Sequence, residues 1–362
     1  MRLLYGVVGE GMGHAMRSQV VLESLFAQGH DVRIVASGRA ASHLESLHPG
    51  RVLRITGLQL VYRDNMVSFV RTMLTNLRSV ASVPANLRRY LETAHDFQPD
   101  VVISDFESWS YWFARSMQIP IVSVDNMQII DRCHHDPRLI SDHRRAFRVA
   151  RSVVRNKLPK CNAYLVTTFF DAPIAKPRTR LHPPILRRVI LDAALRVRVG
   201  SHVVVYQTGT SHDALVRELK AVNAEFRVYG LRRNLTEDQV EDNLTFRPFS
   251  EDRFIDDVAT ARAVVAGGGF TLMTECIYLG KPMLSVPVVG QFEQILNAEY
   301  LQALGYGRWA ARVDAAGVRR FLDEAEACRE RLREFRHDHN AGFLADLDQT
   351  LQAAEAEGAL SP

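Results

Sequence analysis

A histidine stands where a glycine-rich turn passes into a predicted helix, and its position suggests acid–base chemistry. The turn reads Gly9-x-Gly11-x-Gly13-His14 and follows the apolar segment 3–8, which predicts a strand. The positive end of a helix dipole disfavours a charged imidazolium, so a histidine there stays neutral and can accept a proton. His14 is therefore a candidate general base, with helix capping or local packing as the structural alternative.

An aspartate that ends another predicted strand could assist His14. Asp105 closes the segment Val102-Ile103-Ser104-Asp105. The carboxyl ends of parallel strands meet at one edge of a sheet, so the two side chains are expected near each other. A carboxylate beside an imidazole fixes its tautomer and stabilises the imidazolium that forms after proton abstraction. Two alternatives stay open, since Asp105 could cap the following helix and Glu107 could compete for the histidine.

Three consecutive glycines form a second turn of this kind. Gly267-Gly268-Gly269 separates the apolar segment 263–265 from a helix predicted over 271–279. Glycine lets the backbone approach a ligand closely, and the free N–H groups of a helix start favour an anion, typically phosphate. Glu275, one turn into this helix, could accept hydrogen bonds from a ribose diol. A plain tight turn in an α/β protein is the alternative.

Other residues of the second half suit the same kind of ligand. A further strand-to-helix turn carries hydroxyl groups for a phosphate, a phenylalanine after a strand could lie against a nucleobase, and a carboxylate beside an amide could bind adjacent sugar hydroxyls. These residues are, in that order, Gly209, Thr210 and Ser211; Phe249; and Glu293 with Gln294. Core packing is the alternative for the phenylalanine and a solvated helix start for the last pair.

Length and pattern predict a two-domain α/β protein. A chain of 362 residues with 47% hydrophobic content can form two cores. Short apolar strands alternate with amphipathic helices in both halves, which is typical of doubly wound parallel sheets. Segment 171–184 is rich in Pro, Arg and Lys and is predicted to be the linker, with 163–167 as the last strand before it. The predicted domains are 1–180 and 181–335, and ligands should bind in the cleft between them.

Two segments bear on where an acceptor could bind. An aromatic and methionine-rich zone from Tyr62 to Met73 overlaps a helical region predicted over 66–95 and could line an acceptor pocket. Segment 132–160 is basic, and arginines and apolar residues are interleaved along a helix predicted over 137–158. Such a helix could lie on an anionic membrane surface that holds a lipid-linked acceptor, while a solvated face is the alternative.

Composition argues against several classes of protein. Four scattered cysteines lack the spacing of a zinc site or a disulfide framework, so no metal is predicted and a reducing cytoplasm fits best. No apolar run reaches the ~18–20 residues of a membrane span, and no signal-peptide pattern opens the sequence. The net charge of +4 is too small to indicate nucleic acid. A dinucleotide cofactor is not predicted either, because His14 stands where the third glycine of a GxGxxG turn belongs.

Taken together, these segments resemble the GT-B glycosyltransferases, most closely the bacterial lipid-intermediate N-acetylglucosaminyltransferases and the macrolide and plant natural-product enzymes. The second-domain motifs are fairly specific, whereas GxGH alone is not. The matching segments, in chain order, are Gly11-Met12-Gly13-His14, Ser104-Asp105-Phe106-x-x-Trp109, Gly267-Gly268-Gly269-Phe270-Thr271-x-x-x-Glu275, Gly280-x-Pro282, Pro287, Glu293-Gln294-x-x-Asn297-Ala298 and Gly305.

The resemblance implies two facing Rossmann-like domains, with residues 336–362 forming a helix that crosses back to the first. It also implies inverting, metal-independent transfer of a sugar from a nucleotide diphosphate sugar to an acceptor hydroxyl, with no cofactor. The implied roles are base and partner for His14 and Asp105; diphosphate binding for Gly268, Gly269, Phe270 and Thr271; ribose binding for Glu275; sugar binding for Glu293 and Gln294; and acceptor-side positions for Met12, Gly13, Glu107 and Asn126.

Two departures from the family pattern concern the nucleotide. Gly267 stands where many natural-product enzymes have a histidine beside the phosphates, and the tryptophan that stacks on the base in plant enzymes is not evident. UDP is expected only because it is the family's commonest donor nucleotide. The hydroxyls of Thr210 or Ser211 would have to supply part of the phosphate binding.

Two rival functions follow from the same residues. A nucleotide-sugar hydrolase on this fold would use His14 to activate water, and hydrolases of sialic-acid-like pathways also carry a GxGH turn followed by an arginine, here Arg17. A catalytically inert nucleotide-sugar-binding or partner-binding protein would bind UDP without turnover. We expect a cytoplasmic enzyme, peripheral to the inner membrane face if segment 132–160 contacts lipid.

Overall fold

The computed structural model describes residues 1–9, 11–56, 62–63, 66–67, 92–207, 212–232 and 235–358. Two sheets of seven strands, each flanked by helices, make up two α/β domains. The first-domain elements are β1 (Arg2–Val7), α1 (Met12–Ala27), β2 (Asp31–Ala36), α2 (Gly38–Leu47), β3 (Val52–Arg54), β4 (Tyr62–Arg63), β5 (Met66–Val67), β6 (Val101–Asp105), α3 (Ser108–Met117), β7 (Ile121–Asp125), α4 (Ile129–Arg132), α5 (Pro137–Ile140), α6 (Arg144–Lys157), β8 (Ala163–Thr167) and β9 (Thr179–His182).

The second domain is followed by one further helix. Its elements and that helix are α7 (Arg188–Ala193), β10 (Val203–Tyr206), α8 (His212–Lys220), β11 (Phe226–Tyr229), β12 (Gln239–Glu241), β13 (Leu244–Phe246), α9 (Glu251–Thr260), β14 (Ala263–Ala266), α10 (Phe270–Tyr278), β15 (Met283–Ser285), α11 (Phe292–Ala303), β16 (Gly307–Trp309), α12 (Ala315–Leu332) and α13 (Ala341–Glu357).

The first sheet has the strand order β3-β2-β1-β6-β7-β8-β9, and all its pairings are parallel. The order reverses between β1 and β6, where Val7 is the register partner of Asp105. Connections leave this point toward opposite sides of the sheet, which opens a crevice at the carboxyl ends of the two strands. The turn with His14 follows β1, and Asp105 is the last residue of β6, so both lie at this crevice.

The second sheet repeats this design. Its order is β12-β13-β11-β10-β14-β15-β16, with only β12 antiparallel to its neighbour among the described pairings. The reversal falls between β10 and β14, where Tyr206 pairs with Ala266. The glycines 267–269 therefore emerge at the crevice of the second sheet, as the turn with His14 does in the first.

Strands buried on both faces explain the continuous apolar segments of the sequence. Val203, Val204 and Val205 are fully buried, as are Leu3 and Leu4 of β1. One apolar cluster contains residues of both domains. Within this cluster the rings of Phe170 and Tyr300, one from each domain, stack with centroids 3.6 Å apart. The domains thus meet through a common core beneath the cleft.

Two segments fold differently from the sequence expectation. Strand β9 lies within the predicted linker 171–184 and pairs with β8, so β8 is not the last strand of the first sheet, and the predicted boundary at residue 180 cuts through β9. The four residues of β9 are hard to predict because they stand in a Pro- and Arg-rich segment and form the sheet edge, where one side needs no partner. Most of the predicted helix over 66–95 lies outside the described residues, as does most of the zone Tyr62 to Met73. The first two residues of the predicted helix, Met66 and Val67, form the strand β5 instead, which pairs with β4.

The C-terminal helix α13 packs against the first domain. Phe343, Leu347 and Leu351 are buried in the same apolar cluster as Leu3 of β1.

Short strands β12 and β16, each of three residues, complete the second sheet and were not predicted. In the described ranges, no helix is long and apolar enough to cross a membrane. The four cysteines are buried and unpaired.

Candidate active site

The two glycine-rich turns face each other across the cleft. A Cβ on Gly13, at the start of α1, would lie 2.6 Å from the hydroxyl oxygen of Thr271, at the start of α10. Only a residue without a side chain allows this approach. The histidine of the first turn and the glycines of the second therefore border one space.

His14 and Asp105 form the pair that the sequence suggested. His14 Nδ1 lies 2.7 Å from Asp105 Oδ1, and the aspartate is fully buried while the imidazole remains 17% exposed. Hydrogen bonding of Nδ1–H to the carboxylate leaves Nε2 unprotonated and able to accept a proton. This arrangement gives His14 the tautomer that a general base requires.

Three further hydrogen-bond donors, two on Arg17 and one on Ser18, hold the Asp105 carboxylate in place. Arg17 donates from Nε to Oδ2 at 3.1 Å and from Nη2 to Oδ1 at 2.5 Å, and Ser18 Oγ donates to Oδ2 at 3.1 Å. Arg17 Nη2 also lies 2.9 Å from His14 Nδ1. The hydrogen bond between His14 Nδ1 and the Asp105 carboxylate requires a hydrogen on Nδ1, because a carboxylate only accepts. Arg17 only donates, so it cannot accept that hydrogen and acts on the imidazole ring through its positive charge.

The charges of this cluster keep Asp105 ionised. Burial alone would raise the pKa of its carboxyl, but the charges of Arg17 and His14 and their hydrogen bonds hold that pKa below the ordinary value. An ionised Asp105 can stabilise the imidazolium that proton transfer creates at His14. The neighbouring carboxyl of Asp125 behaves differently, since burial and the negative charge of Asp105 raise its pKa.

Glu107, which was predicted on the acceptor side and as a rival partner for His14, is occupied as a helix cap. Its side chain accepts hydrogen bonds from the backbone N–H groups of Trp109 at 2.8 Å and Ser110 at 2.6 Å, at the start of α3. The cap that was an alternative for Asp105 thus belongs to Glu107. Phe106 between them has a left-handed φ of 53°, which turns the chain so that the two carboxylates serve different partners.

The three glycines of the second turn have different surroundings. A Cβ on Gly268 would lie 2.6 Å from the backbone oxygen of Gln294, whereas a Cβ on Gly269 would meet no atom of the described residues within 4 Å. Gly269 immediately precedes α10, and among the described residues no side chain caps the free N–H groups there. Gly268 therefore serves packing, while Gly269 and the helix start present N–H groups to open space.

Gln294, predicted to bind the transferred sugar, organises this turn. Its Oε1 accepts hydrogen bonds from the backbone N–H groups of Gly268 at 3.1 Å and Val288 at 2.9 Å, and its amide nitrogen donates to Gln291. These bonds tie the glycine turn to the loop before α11. The amide oxygen is thus already used in supporting the backbone.

Glu293 is half-buried where the two domains meet. Its Oε1 accepts from Asn126 Nδ2 of the first domain at 3.0 Å and from Asn297 Nδ2 at 2.6 Å. Asn126 in turn accepts from Arg17 Nη1 at 2.9 Å. Burial raises the pKa of Glu293, partly offset by Asn297 and by the charge of His14. Hydrogen bonds thus run from the His14–Asp105 pair to the residue predicted to hold the sugar.

Glu275, predicted to bind ribose, has an arginine as partner. Its Oε1 accepts hydrogen bonds from Arg187 Nε at 3.0 Å and Nη2 at 2.6 Å. Burial raises the pKa of Glu275 and the charge of Arg187 opposes that rise. The carboxyl lies within the first turns of α10, on the same helix as the uncapped N–H groups.

The remaining residues predicted for the donor and acceptor sides differ in exposure. Phe249 is 63% exposed, and its ring lies 6.3 Å from that of Tyr206, centroid to centroid, at the carboxyl end of β10; core packing does not explain it. Phe270 is buried with its ring 6.2 Å from that of Phe169, so only its backbone can reach a ligand. Met12 is half-buried against the core of the first domain. Gly209, Thr210 and Ser211 lie outside the described residues.

Sequence reasoning missed three residues that shape this site. Arg17 was noted only as a feature shared with hydrolases, yet it is the main anchor of Asp105. Asn297 was part of a motif without an assigned role, and Arg187 was not noticed at all. The spacing of Arg17, three residues after His14 on one helix face, was a readable signal. No such spacing signal marked Arg187, because its partner Glu275 lies 88 residues away in the chain.

Fold and site together define a GT-B glycosyltransferase, and comparison with known proteins agrees. The chain belongs to glycosyl transferase family 1, whose family model matches residues 1–326. Relatives from Methanosarcina mazei and Methanosarcina acetivorans, both described as uncharacterized glycosyltransferases, are 24% and 23% identical over 352 residues, covering 85% of this chain and 85% of each relative.

Solved structures share the fold at low sequence identity. The calicheamicin glycosyltransferase CalG4 matches with a TM-score of 0.65 at 17% identity, covering 100% of both chains. UGT2 of Phytolacca americana, solved with UDP-2fluoro-glucose and pterostilbene, matches with a TM-score of 0.64 at 17% identity, covering 98% of this chain and 99% of that one. The predicted architecture and enzyme class are therefore confirmed.

Proposed function

We propose that this glycosyltransferase moves a sugar from a nucleotide diphosphate sugar to an acceptor hydroxyl with inversion, and that His14 is the general base. The observation that carries the proposal is the His14–Asp105 pair at 2.7 Å, placed opposite an uncapped helix start. Nε2 of His14 takes the acceptor proton while the acceptor oxygen attacks the anomeric carbon. The bond from that carbon to the diphosphate oxygen breaks on the opposite face of the sugar.

The second turn supplies the electrostatic half of the reaction. The diphosphate gains negative charge as it departs, and N–H groups at the start of α10 are fixed to receive that charge. Gly269 leaves room for the phosphates, since a Cβ there would meet no atom within 4 Å in the part of the chain that the structure describes. We propose that these groups do the work without a metal ion, with Glu275 on the ribose and Glu293 on the sugar.

UDP is the proposed donor nucleotide because it is the commonest donor in the family that the chain resembles, and two local features suit a nucleotide of any base. Phe249 offers an exposed ring at the carboxyl edge of the second sheet, where a base can stack. Glu275 offers a buried carboxylate oxygen to a ribose. Of the solved structures that share the fold, one contains UDP-2fluoro-glucose and another UDP; those ligands belong to those proteins and set the order in which nucleotides should be tried.

Calorimetric titration with UDP, GDP, TDP and CMP in chelator tests the donor site, followed by a turnover assay with the sugar form of the nucleotide that binds. Glu275→Ala should weaken binding by about tenfold or more, the value of a hydrogen bond to a charged group. A matched control is Glu326→Ala, which removes a 69% exposed carboxylate of α12. Sugar release into water without any acceptor would favour a hydrolase, and tight binding without turnover a binding protein.

For the acceptor side we propose a peripheral contact with an anionic membrane through α6. Val149 and Val153 are 60% and 56% exposed, and Arg144, Arg145 and Arg148 make no ion pair within the described part of the chain. Arg151 and Arg155 are not available, because both bind Asp131 at 3.2 Å. A lipid-linked acceptor would suit an enzyme that docks in this way.

Vesicle sedimentation tests that contact. The protein should pellet with vesicles that contain phosphatidylserine and stay in solution with phosphatidylcholine alone. Replacing Arg144, Arg145 and Arg148 with Gln should release it, whereas Arg188→Gln, which removes an 81% exposed arginine of α7, should not. Equal behaviour of both vesicle types would refute the contact.

A further inference from the structure

Arg187 joins the donor side of the cleft to the segment between the domains. Its guanidinium donates twice to Oε1 of Glu275, at 3.0 and 2.6 Å. The side chains are buried, with 12% of the arginine and 6% of the glutamate exposed. Both bonds end on one oxygen, so within the described part of the chain Oε2 of Glu275 keeps its acceptor capacity.

The backbone before Arg187 is held by the C-terminal crossing segment. Leu186 donates its N–H to Asn340 Oδ1 at 2.9 Å and accepts from Asn340 Nδ2 at 2.8 Å. His337 Nε2 lies 2.7 Å from the carbonyl oxygen of Pro184. Two-sided bonding by one buried amide fixes the position of the chain at residue 186, and therefore the point from which Arg187 reaches into the cleft.

The other groups around this arginine come from both domains. Nη1 of Arg187 binds Glu251 at the start of α9 and lies 3.5 Å from the sulfur of Met16 on α1. Burial lowers the pKa of His43 on α2, and the nearby charges of Glu251 and Arg187 act on that pKa in opposite directions. Glu251 is the exposed partner, with 48% of its side chain accessible, whereas Glu275 is the buried one.

A ribose diol places a demand on the carboxyl that binds it. Both hydroxyls donate best to an ionised carboxylate, because a protonated carboxyl loses charge and one acceptor position. Burial opposes ionisation of Glu275, and the positive charge of Arg187 is the described group that favours it. Glu251, being negative, acts in the opposite direction.

We propose that Arg187 is a positioning residue of the donor site, which keeps the Glu275 carboxylate ionised and directs its free oxygen toward the ribose hydroxyls. The inference rests on the proposed donor site. It adds that ribose recognition depends on a residue of the interdomain segment, held in place by Asn340. Arg187 itself does not take part in the bond-breaking step.

Recognition of the 2′-hydroxyl gives a readout that a purely structural role would not change. UDP and 2′-deoxy-UDP are titrated into wild type and Arg187→Met at pH 6 and pH 8. Wild type should prefer UDP by about tenfold or more at both pH values, since the lost bond is to a charged group. Without Arg187 the pKa of Glu275 rises, so Arg187→Met should lose most of the preference at pH 6 and regain part of it at pH 8.

Two companion variants separate positioning from folding. Glu251→Gln removes the exposed partner of the same guanidinium and should keep the wild-type preference. Arg187→Lys keeps the charge but lacks the fork, so it should retain the preference at both pH values with weaker overall affinity. If Arg187→Met does not fold, the role of Arg187 can still be tested by comparing the UDP affinities of Arg187→Lys and Glu251→Gln. Equal affinities in these two variants would contradict that role.

The two proposals fail in different ways. A wild-type protein that binds none of the nucleotides removes the donor site and Arg187 with it. A wild type that binds UDP and prefers it over the deoxy form, while Arg187→Met keeps that preference at pH 6, overturns only the role of Arg187. A preference that falls equally in Arg187→Met and Glu251→Gln would also overturn it, since the effect would then follow general loss of charge pairing.

Discussion

The two turns that face each other across the cleft have the same local architecture and different chemistry. Each follows a strand at the reversal point of its sheet and opens a helix that no described side chain caps. The first turn leads into a cluster of buried charges, with Asp105 and Arg17 paired at 2.5 Å under His14. The second has no charged side chain among residues 266–274 and is supported by the amide of Gln294.

This difference matches what each turn is proposed to do. A base must have one defined tautomer and a partner that tolerates its positive form, which requires fixed charges nearby. A phosphate site needs N–H groups and space, and a fixed negative charge there would repel the ligand. The same strand-turn-helix unit therefore gives two functions, depending on whether its helix buries ionic groups or leaves its first N–H groups free.

The largest expected effect comes from removing the base. His14→Ala should lower the transfer rate by about 10²–10⁴-fold, the usual range for general base catalysis, with nucleotide affinity unchanged. Steady-state kinetics at saturating donor, together with calorimetry, measures both. His95→Ala is the control, since that imidazole is 91% exposed and precedes β6 at the other edge of the sheet. A variant at His14 with wild-type turnover would assign the base elsewhere.

A smaller effect distinguishes neighbouring glycines of the second turn. Gly269→Ala adds a methyl group that meets no atom of the described residues within 4 Å, so thermal stability should stay unchanged while nucleotide affinity falls about tenfold, or ~1.4 kcal/mol. Gly268→Ala should instead destabilise the fold by about 1–3 kcal/mol, because its Cβ would lie 2.6 Å from the oxygen of Gln294. Calorimetry and thermal unfolding of both variants provide the test, and full nucleotide affinity in Gly269→Ala would place the phosphates elsewhere.

Much of the fold could be predicted because its signals are local. Continuous apolar segments predict strands buried on both faces, and glycines after β1 and β14 mark the turns. The pairing of His14 with Asp105 could also be anticipated, since both follow strands of one parallel sheet. The edge strand β9 could not be predicted, because its four residues lie between the prolines of a segment that resembles a linker, and an edge strand tolerates such flanks.

The hydrogen-bond partners of the site residues could not be predicted from the local sequence pattern. Glu107 and Asp105 are two residues apart and chemically alike, and only the left-handed turn at Phe106 gives one to a helix cap and the other to His14. Gln294 fits a sugar as well as a backbone turn, and the position of Gly268 decides that its oxygen serves the turn. The partner of Glu275 lies outside both predicted motifs.

The sequence by itself determined the two-sheet architecture, the class of enzyme and the residues able to act as base and as anion site, because each depends on residue types within a few positions of one another. Only the tertiary structure decided which charged and polar side chains meet. Arg17 with Asp105, Asn126 with Glu293 and Arg187 with Glu275 are each separated by at least 88 residues in the chain. Buried charges must find partners to avoid the cost of desolvation, and the packing of the two domains determines which partners are within reach.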